Sequence, residues 1–280
     1  MRTTSIRRLA LILAISIILM KSPLRAQQSG TGSHSYTIGY SNHASGAESL
    51  AFGLGSYATN QASTAFGEYT WSTSYWSTAF GIYSQATNAG ATAFGFGTLA
   101  SGGDATSFGW ETTAEGSIST AFGRTTIASG PGSTASGYYT HAAGIASTTL
   151  GSYTTASGSY STASGYLTTA KAVDSFVVGA VNKGTSEINN GSVNPTRPSA
   201  TDPIFEVGNG TASAYYVGSG SGYNPGNNAF STQPSDALVV YRNGDTKVSG
   251  TLSISGSNPV LVQPAGDLSM GPYTYGPTPQ

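Results

Sequence analysis

Apolar residues in this chain alternate with polar or small ones over five-residue stretches, and these stretches recur every fourteen residues. The phrase Ser-Thr-Ala-Phe-Gly occupies 63–67, 77–81 and 119–123. Aligned on its last letter, glycine falls at 39, 53, 67, 81, 95, 109, 123, 137, 151, 165 and 179, eleven times running. Two residues earlier stands a small residue: Ala51, Ala65, Ala79, Ala93, Ser107, Ala121, Ala135, Thr149 and Ala163. One residue earlier stands a large apolar one: Phe52, Phe66, Phe80, Phe94, Phe108 and Phe122, then Leu150 and Val178. Alanine or serine returns five after the glycine, from Ala58 to Ala170, and turn-forming residues come seven after it, from Gly46 and Asn60 to Gly158. Each unit reads as two similar sevens, and each seven as a short strand and a turn.

A heptad coiled coil would need Leu, Ile or Val at two positions in seven. Here the seventh position is mostly Gly or Asn, and each Gly costs a helix about 1 kcal/mol against Ala. The pattern therefore predicts an all-β fold, a parallel β-solenoid with one coil per unit. Each coil should make two strands of about five residues and two tight turns. Ten coils stacked roughly 4.8 Å apart give a rod of about 50 Å. Side chains alternate faces along a strand, so the Ala column lines a thin lumen and the Phe column faces away from it. The opposite parity would make Phe the lumen filler. An outward ladder of six Phe, each able to bury about 150–250 Å², exceeds the apolar patch a monomer normally shows. It predicts association through that face.

Composition narrows the function. Charged residues make up 8% of the chain, against roughly 25% in an average globular protein. Residues 1–26 read as a secretory leader: Arg2, Arg7 and Arg8 precede the apolar run Leu9 to Met20, and Ala26 suits cleavage. That run is too short to span a bilayer, which takes about 20 residues; an uncleaved N-terminal anchor is the competing reading. Removing the leader takes five of the 11 basic residues with it, leaving 6 against 12 acidic ones, a formal charge of −6. No Lys or Arg occurs from Gln27 to Gly123. Nucleic-acid binding needs clustered cations, so that class is excluded. With no cysteine there is neither a disulfide nor a thiolate metal site.

The register resembles the head repeat of trimeric autotransporter adhesins, the YadA-like head, with its pattern S-x-A-[IF]-G-x-x-[ST]-x-A-x-G. The matching segments are STAFGEYTWSTS at 63–74 and STAFGRTTIASG at 119–130, within a stretch of about 35–179. The resemblance implies a homotrimer of left-handed parallel β-rolls packed about a threefold axis, with Phe52, Phe66, Phe80, Phe94, Phe108 and Phe122 in the packing. Ser136 and Ser164 replace Phe, so that packing should loosen toward the C-terminal half. KAVDSFVVGAVNKG at 171–184 resembles the last head repeat before a neck, and TDPIFEVGNGT at 201–211 resembles a connector. DALVVYRNGDTKVSGTLSIS at 236–255 resembles another, and its Asn243-Gly244 is a hairpin signal. The expected organisation is a leader at 1–26, a linker at 27–34, head repeats at 35–179, a loop-rich connector at 180–235, a β-hairpin region at 236–256 and a Pro/Gly-rich tail at 257–280. The sequence departs from the family in showing no long heptad stalk and no amphipathic strand set for a membrane barrel. No intrinsic membrane-spanning anchor is therefore expected, and the chain is either released or attached by something else.

Chemistry is sparse. His34, His43 and His141 are far apart, and no metal-binding or nucleophile motif occurs. Glu111 and Glu115 share a coil, where solvated surface charges are the ordinary reading. No cofactor is expected, and the chain reads as a non-enzyme. Aromatics that look exposed mark the candidate ligand surface: Tyr69, Trp71, Tyr75, Trp76, Tyr83 and Trp110, suited to sugars or matrix proteins. Thr70, Thr98, Thr112, Thr126, Thr140, Thr154 and Thr168 stand three after the glycine, an array resembling those of ice-binding solenoids. The interspersed aromatics argue against a flat ice face. The expectation is a secreted or bacterial cell-surface fibre head that adheres to host, matrix or other cells. The alternative is a structural spacer without a ligand.

Overall fold

The computed structural model describes residues 28–182, 195–213, 231–233 and 235–249. The leader and the tail at 257–280 lie outside them. Eleven five-residue strands, from Tyr36–Tyr40 to Phe176–Ala180, stack in parallel as one sheet. Ten two-residue strands, from His43–Ala44 to Thr169–Ala170, stack as a second. Successive coils pair in register, Thr92 with Thr106, Phe94 with Phe108 and Gly95 with Gly109. The chain is thus a parallel β-solenoid of 14-residue coils. The two strands of a coil are unequal, five residues and two, where the sequence suggested two of about five.

The backbone explains the repeat. Each glycine of the main column, Gly39 to Gly179, has φ between +106° and +135°. A Cβ there would also lie against the carbonyl of the next coil's glycine. Both constraints exclude every other residue. The left-handed turn residues stand elsewhere than expected. The column from Gly46 to Gly158 carries ordinary φ. Positive φ falls instead two and nine residues after the main glycine, as at Tyr69 and Trp76. These positions tolerate bulky side chains because the coil ladder holds their backbone: Tyr69 N–H donates to the Leu54 carbonyl at 2.8 Å and Trp76 N–H to that of Gln61 at 3.1 Å.

The left-handed residue two after the glycine also resets strand parity. The lumen therefore receives the residues three and five after the glycine. Ala51, Ala65, Ala79 and Ala93 fill it from the long strands, and Ala44, Ala58, Ala86 and Ala100 from the short ones. The Thr column joins them: Thr70, Thr98, Thr112, Thr126, Thr140, Thr154 and Thr168 are all buried. That column is internal and presents no ice-binding face.

The ends are closed differently. Gln28–Ser29 pairs antiparallel with the first long strand. Thr31 N–H donates to the Ala44 carbonyl at 2.9 Å on the free edge of the first short strand, and Asn42 ties that coil to the next: its Oδ1 accepts from Ser56 N–H at 2.9 Å, and its Nδ2 donates to the Gly53 carbonyl at 2.8 Å. At the far end Pro203–Asn209 adds one more parallel rung, placing Phe205 beside Phe176 and Gly208 beside Gly179. Asp236–Tyr241 pairs with it antiparallel, and Thr246–Val248 completes a hairpin. Asn182 imitates a further short strand, accepting from Thr169 N–H at 2.7 Å and donating to its carbonyl at 3.0 Å. Arg242 ties the hairpin to the last coil, donating to the Val173 carbonyl at 2.6 Å beside the Asp174 carboxylate.

Candidate interaction surfaces

Three outward columns cover the long-strand face. The central one is the Phe ladder. Phe52, Phe66, Phe80, Phe94, Phe108 and Phe122 stack ring on ring, with centroids 4.4–5.3 Å apart and planes within 11°. That spacing matches the strand separation of about 4.8 Å, so each ring's faces meet its neighbours and its edge points outward. Exposure rises along the ladder from 38% at Phe80 to 51% at Phe122. Beside it runs an unbroken file of eight threonines, Thr64, Thr78, Thr92, Thr106, Thr120, Thr134, Thr148 and Thr162, in register. The sequence reading missed this file, although its fixed place three before the glycine would have revealed it.

The third column lies just after the glycine and turns the corner toward the short strands. Tyr69 stacks on Tyr83 at 5.5 Å, Tyr83 meets Phe96 edge-on at 6.2 Å, and Phe96 stacks on Trp110 at 4.3 Å. Arg124 sits 5.6 Å over the Tyr138 ring. Tyr138, Tyr139, Tyr153 and Tyr166 continue the spine. The six candidate ligand residues are therefore not one patch. Tyr69, Tyr83 and Trp110 share this corner. Trp71 lies on the short-strand face between Tyr57 and Gln85, half-buried. Tyr75 and Trp76 form a tilted pair, centroids 6.1 Å apart, at the turn leading into the next long strand.

Among the described residues, reactive geometry is confined to two places. Ser129 Oγ lies 2.9 Å from His141 Nε2. Burial lowers the His141 pKa, with Glu115 acting in the opposite direction. Glu115 belongs to the coil before Ser129 and His141 to the coil after it, so the acid stands beyond the hydroxyl and not behind the imidazole. A nucleophile–base–acid relay needs the reverse order. Glu111 and Glu115 are both exposed. Among the described residues no group of three metal-ligating side chains occurs.

The second place is Glu206, which takes the lumen position above Ala163 and Val177 and is 1% exposed. Its carboxylate accepts from Asn182 Nδ2 at 2.6 Å. Burial pushes its pKa up to about 7; Asp236 raises it further, while Asn182 and Lys171 oppose the rise.

A coiled parallel sheet of 14-residue rungs with an outward aromatic ladder places the chain in the class of β-roll solenoids. The YadA head domain repeat (2 copies) matches residues 31–56, 44–70, 77–98, 100–126, 119–140, 128–154 and 156–180. The chain belongs to the YadA head repeat family. That family is a structural adhesin domain and not an enzyme family, and its members are trimeric, cell-surface adhesins. No curated protein matches the chain. Among the described residues no helix is long and apolar enough to cross a membrane, which says nothing of a β-barrel.

Proposed function

We propose that the protein is a homotrimeric head of a secreted or cell-surface fibre, built to adhere to host, matrix or other cells. The observation that carries this reading is the Phe ladder. Six rings stand in one file on the outward face of a roll whose family is trimeric. Fully burying one ring is worth roughly 1.5–3 kcal/mol. The rings already cover one another, so the gain still open to the ladder is on the order of 5 kcal/mol per protomer. Association costs about 4–15 kcal/mol. The flanking Thr and corner columns must therefore be covered too, and the trimer contact spans the long-strand face. Three parallel rods then present each surface feature three times, and linked weak contacts multiply.

The test is sedimentation of the leaderless chain followed by attachment assays on matrix proteins, polysaccharides and cells. A trimer that attaches to at least one surface is expected. A stable monomer sinks the trimer; a trimer that attaches to nothing is a spacer.

A further inference from the structure

The outward face of the long-strand sheet does not stay polar to its end. The column that passes from Phe122 to Ser136, Leu150 and Ser164 turns apolar again: Val178 pairs with Val207, Val207 with Leu238 and Leu238 with Val248. The threonine file beside it changes at the same level. Thr162 is followed by Phe176, Phe205 and Val240 before Thr246 restores it. These residues face outward because the ones between them, Val177, Glu206 and Val239, are buried in the lumen side. Phe176 stacks on Phe205 with centroids 6.0 Å apart and planes within 4°. Phe176 is nevertheless 45% exposed, and Val248 39%. No charged side chain interrupts either column. The end of the roll therefore carries an apolar pad two columns wide, where the Phe ladder is one column wide.

Pad and ladder lie in one sheet, on one face and in one column, parted by the rungs of Ser136, Leu150 and Ser164. A second copy of the chain that covers the ladder lengthwise in parallel brings its own pad to this one. The two surfaces differ in what a displacement costs. The ladder is periodic: a copy slipped by one coil still sets five of its six rings against rings, and one slipped by three coils keeps three. The pad occurs once. A slip of one coil sets Phe176 against Thr162, Val178 against Ser164 and Val240 against Thr246. A slip of three coils leaves only Val178 against Val248.

A surface that repeats specifies its register weakly, and one that does not repeat specifies it strongly. We propose that the apolar pad of Phe176, Phe205, Val207, Leu238 and Val240 seats against the same pad of a second copy and fixes the axial register of the assembly. The ladder supplies contact area at any level; the pad selects the level. Packing that loosens at Ser136 and Ser164 is regained at the end of the roll. The inference rests on the self-association reading and adds the place along the rod where that association is aligned.

The experiment sets pad against ladder. A leaderless chain lacking 126–167, the three coils that carry Ser136, Leu150 and Ser164, keeps both surfaces but brings them closer by roughly 14 Å. Mixed with the full-length leaderless chain, it can match the whole ladder or the pad, not both. The protein has no cysteine, so Ser33→Cys and Lys247→Cys, at exposed positions, carry spin labels near the two ends. Mixed assemblies are isolated through different tags on the two chains, and double electron–electron resonance reads the label separations. The labels at 247 should keep the separation of the full-length assembly, and those at 33 should move apart. Leu238→Ser with Val240→Ser in both chains should reverse this. Labels at 33 that stay together while those at 247 part, without these substitutions, overturn the proposal; so does sorting into unmixed assemblies. A second measurement does not depend on the shortened chain. In the full-length chain alone, Leu238→Ser with Val240→Ser should turn the single separation at 33 into several, and a separation that stays single overturns the proposal. A full-length chain that sediments as a monomer ends the assembly reading itself; an assembly aligned at the ladder ends only the role of the pad.

Discussion

The coils up to Phe122 and those after it share one backbone but solve two problems differently. Outside, the first set carries stacked Phe; the second puts Ser136, Leu150, Ser164 and Val178 in the same column. Inside, the column alternates serine and threonine from Ser56 to Thr98. Thr70 Oγ1 donates to Ser56 Oγ at 2.9 Å and Thr98 Oγ1 to Ser84 Oγ at 3.0 Å. From Thr112 to Thr168 it is threonine throughout, and from the Phe122 coil onward the hydroxyls of Thr126, Thr140, Thr154 and Thr168 meet no partner. A small serine leaves room for the neighbouring threonine to turn its hydroxyl toward it. Successive threonines crowd methyl against methyl. The half that is polar and well paired inside is the one that is apolar outside. Assembly affinity and single-chain stability can therefore be tuned in separate columns.

Exchanging features between the halves tests this division, and the largest effect should come from the ladder. Phe80→Ser, Phe94→Ser and Phe108→Ser together make the first half resemble the second. We expect loss of the trimer in sedimentation, with the circular dichroism of the roll retained. The converse pair, Ser136→Phe and Ser164→Phe, should raise trimer stability by continuing the stack from Phe122. A triple variant that remains trimeric would separate the ladder from assembly.

A smaller effect belongs to the C-terminal end alone. Glu206 has a folded pKa of about 7 against an ordinary 4.5. A raised carboxylate pKa stabilises the fold below the unfolded value, and that contribution is lost as pH rises through the folded one. The hairpin should therefore be tightest below about pH 4.5 and loosen as pH climbs to about 7, by up to roughly 3 kcal/mol. Amide exchange in 236–241, corrected for intrinsic rates, reads this. Glu206→Gln should flatten the profile while exchange in the Phe-laddered coils stays constant.

The smallest effect carries a sign. Thr70→Val removes a made hydrogen bond and leaves Ser56 with one partner fewer, costing about 1 kcal/mol. Thr154→Val removes a buried hydroxyl with no partner and should be neutral or stabilising by a similar amount. Thermal denaturation of the two variants decides; equal losses would end the distinction between the two interiors.

How far the chain could be read without its structure depended on what each position does. Glycine columns and the Ala–Phe alternation were legible because a backbone clash and a strand's two faces act on residue type directly. The threonine column was misplaced because parity resets at Tyr69, Tyr83 and their equivalents, whose left-handed φ is imposed by hydrogen bonds from the previous coil. Tyrosine at such a position gives no warning of it. The candidate surface was legible only as a roster of aromatics. Which rings stack and which stand free depends on the residue one coil away, so Tyr69 and Trp76 look alike until Tyr83 and Gly90 are placed beside them.

The short-strand sheet is met at its first edge by Thr31 N–H on the Ala44 carbonyl and at its last by the Asn182 amide on Thr169, and neither closure refers to how many coils lie between. Whole coils can therefore be inserted or deleted without rebuilding an end. The reach of the fibre becomes a quantity set by copy number, a ruler that tandem duplication in the gene can lengthen one rung at a time.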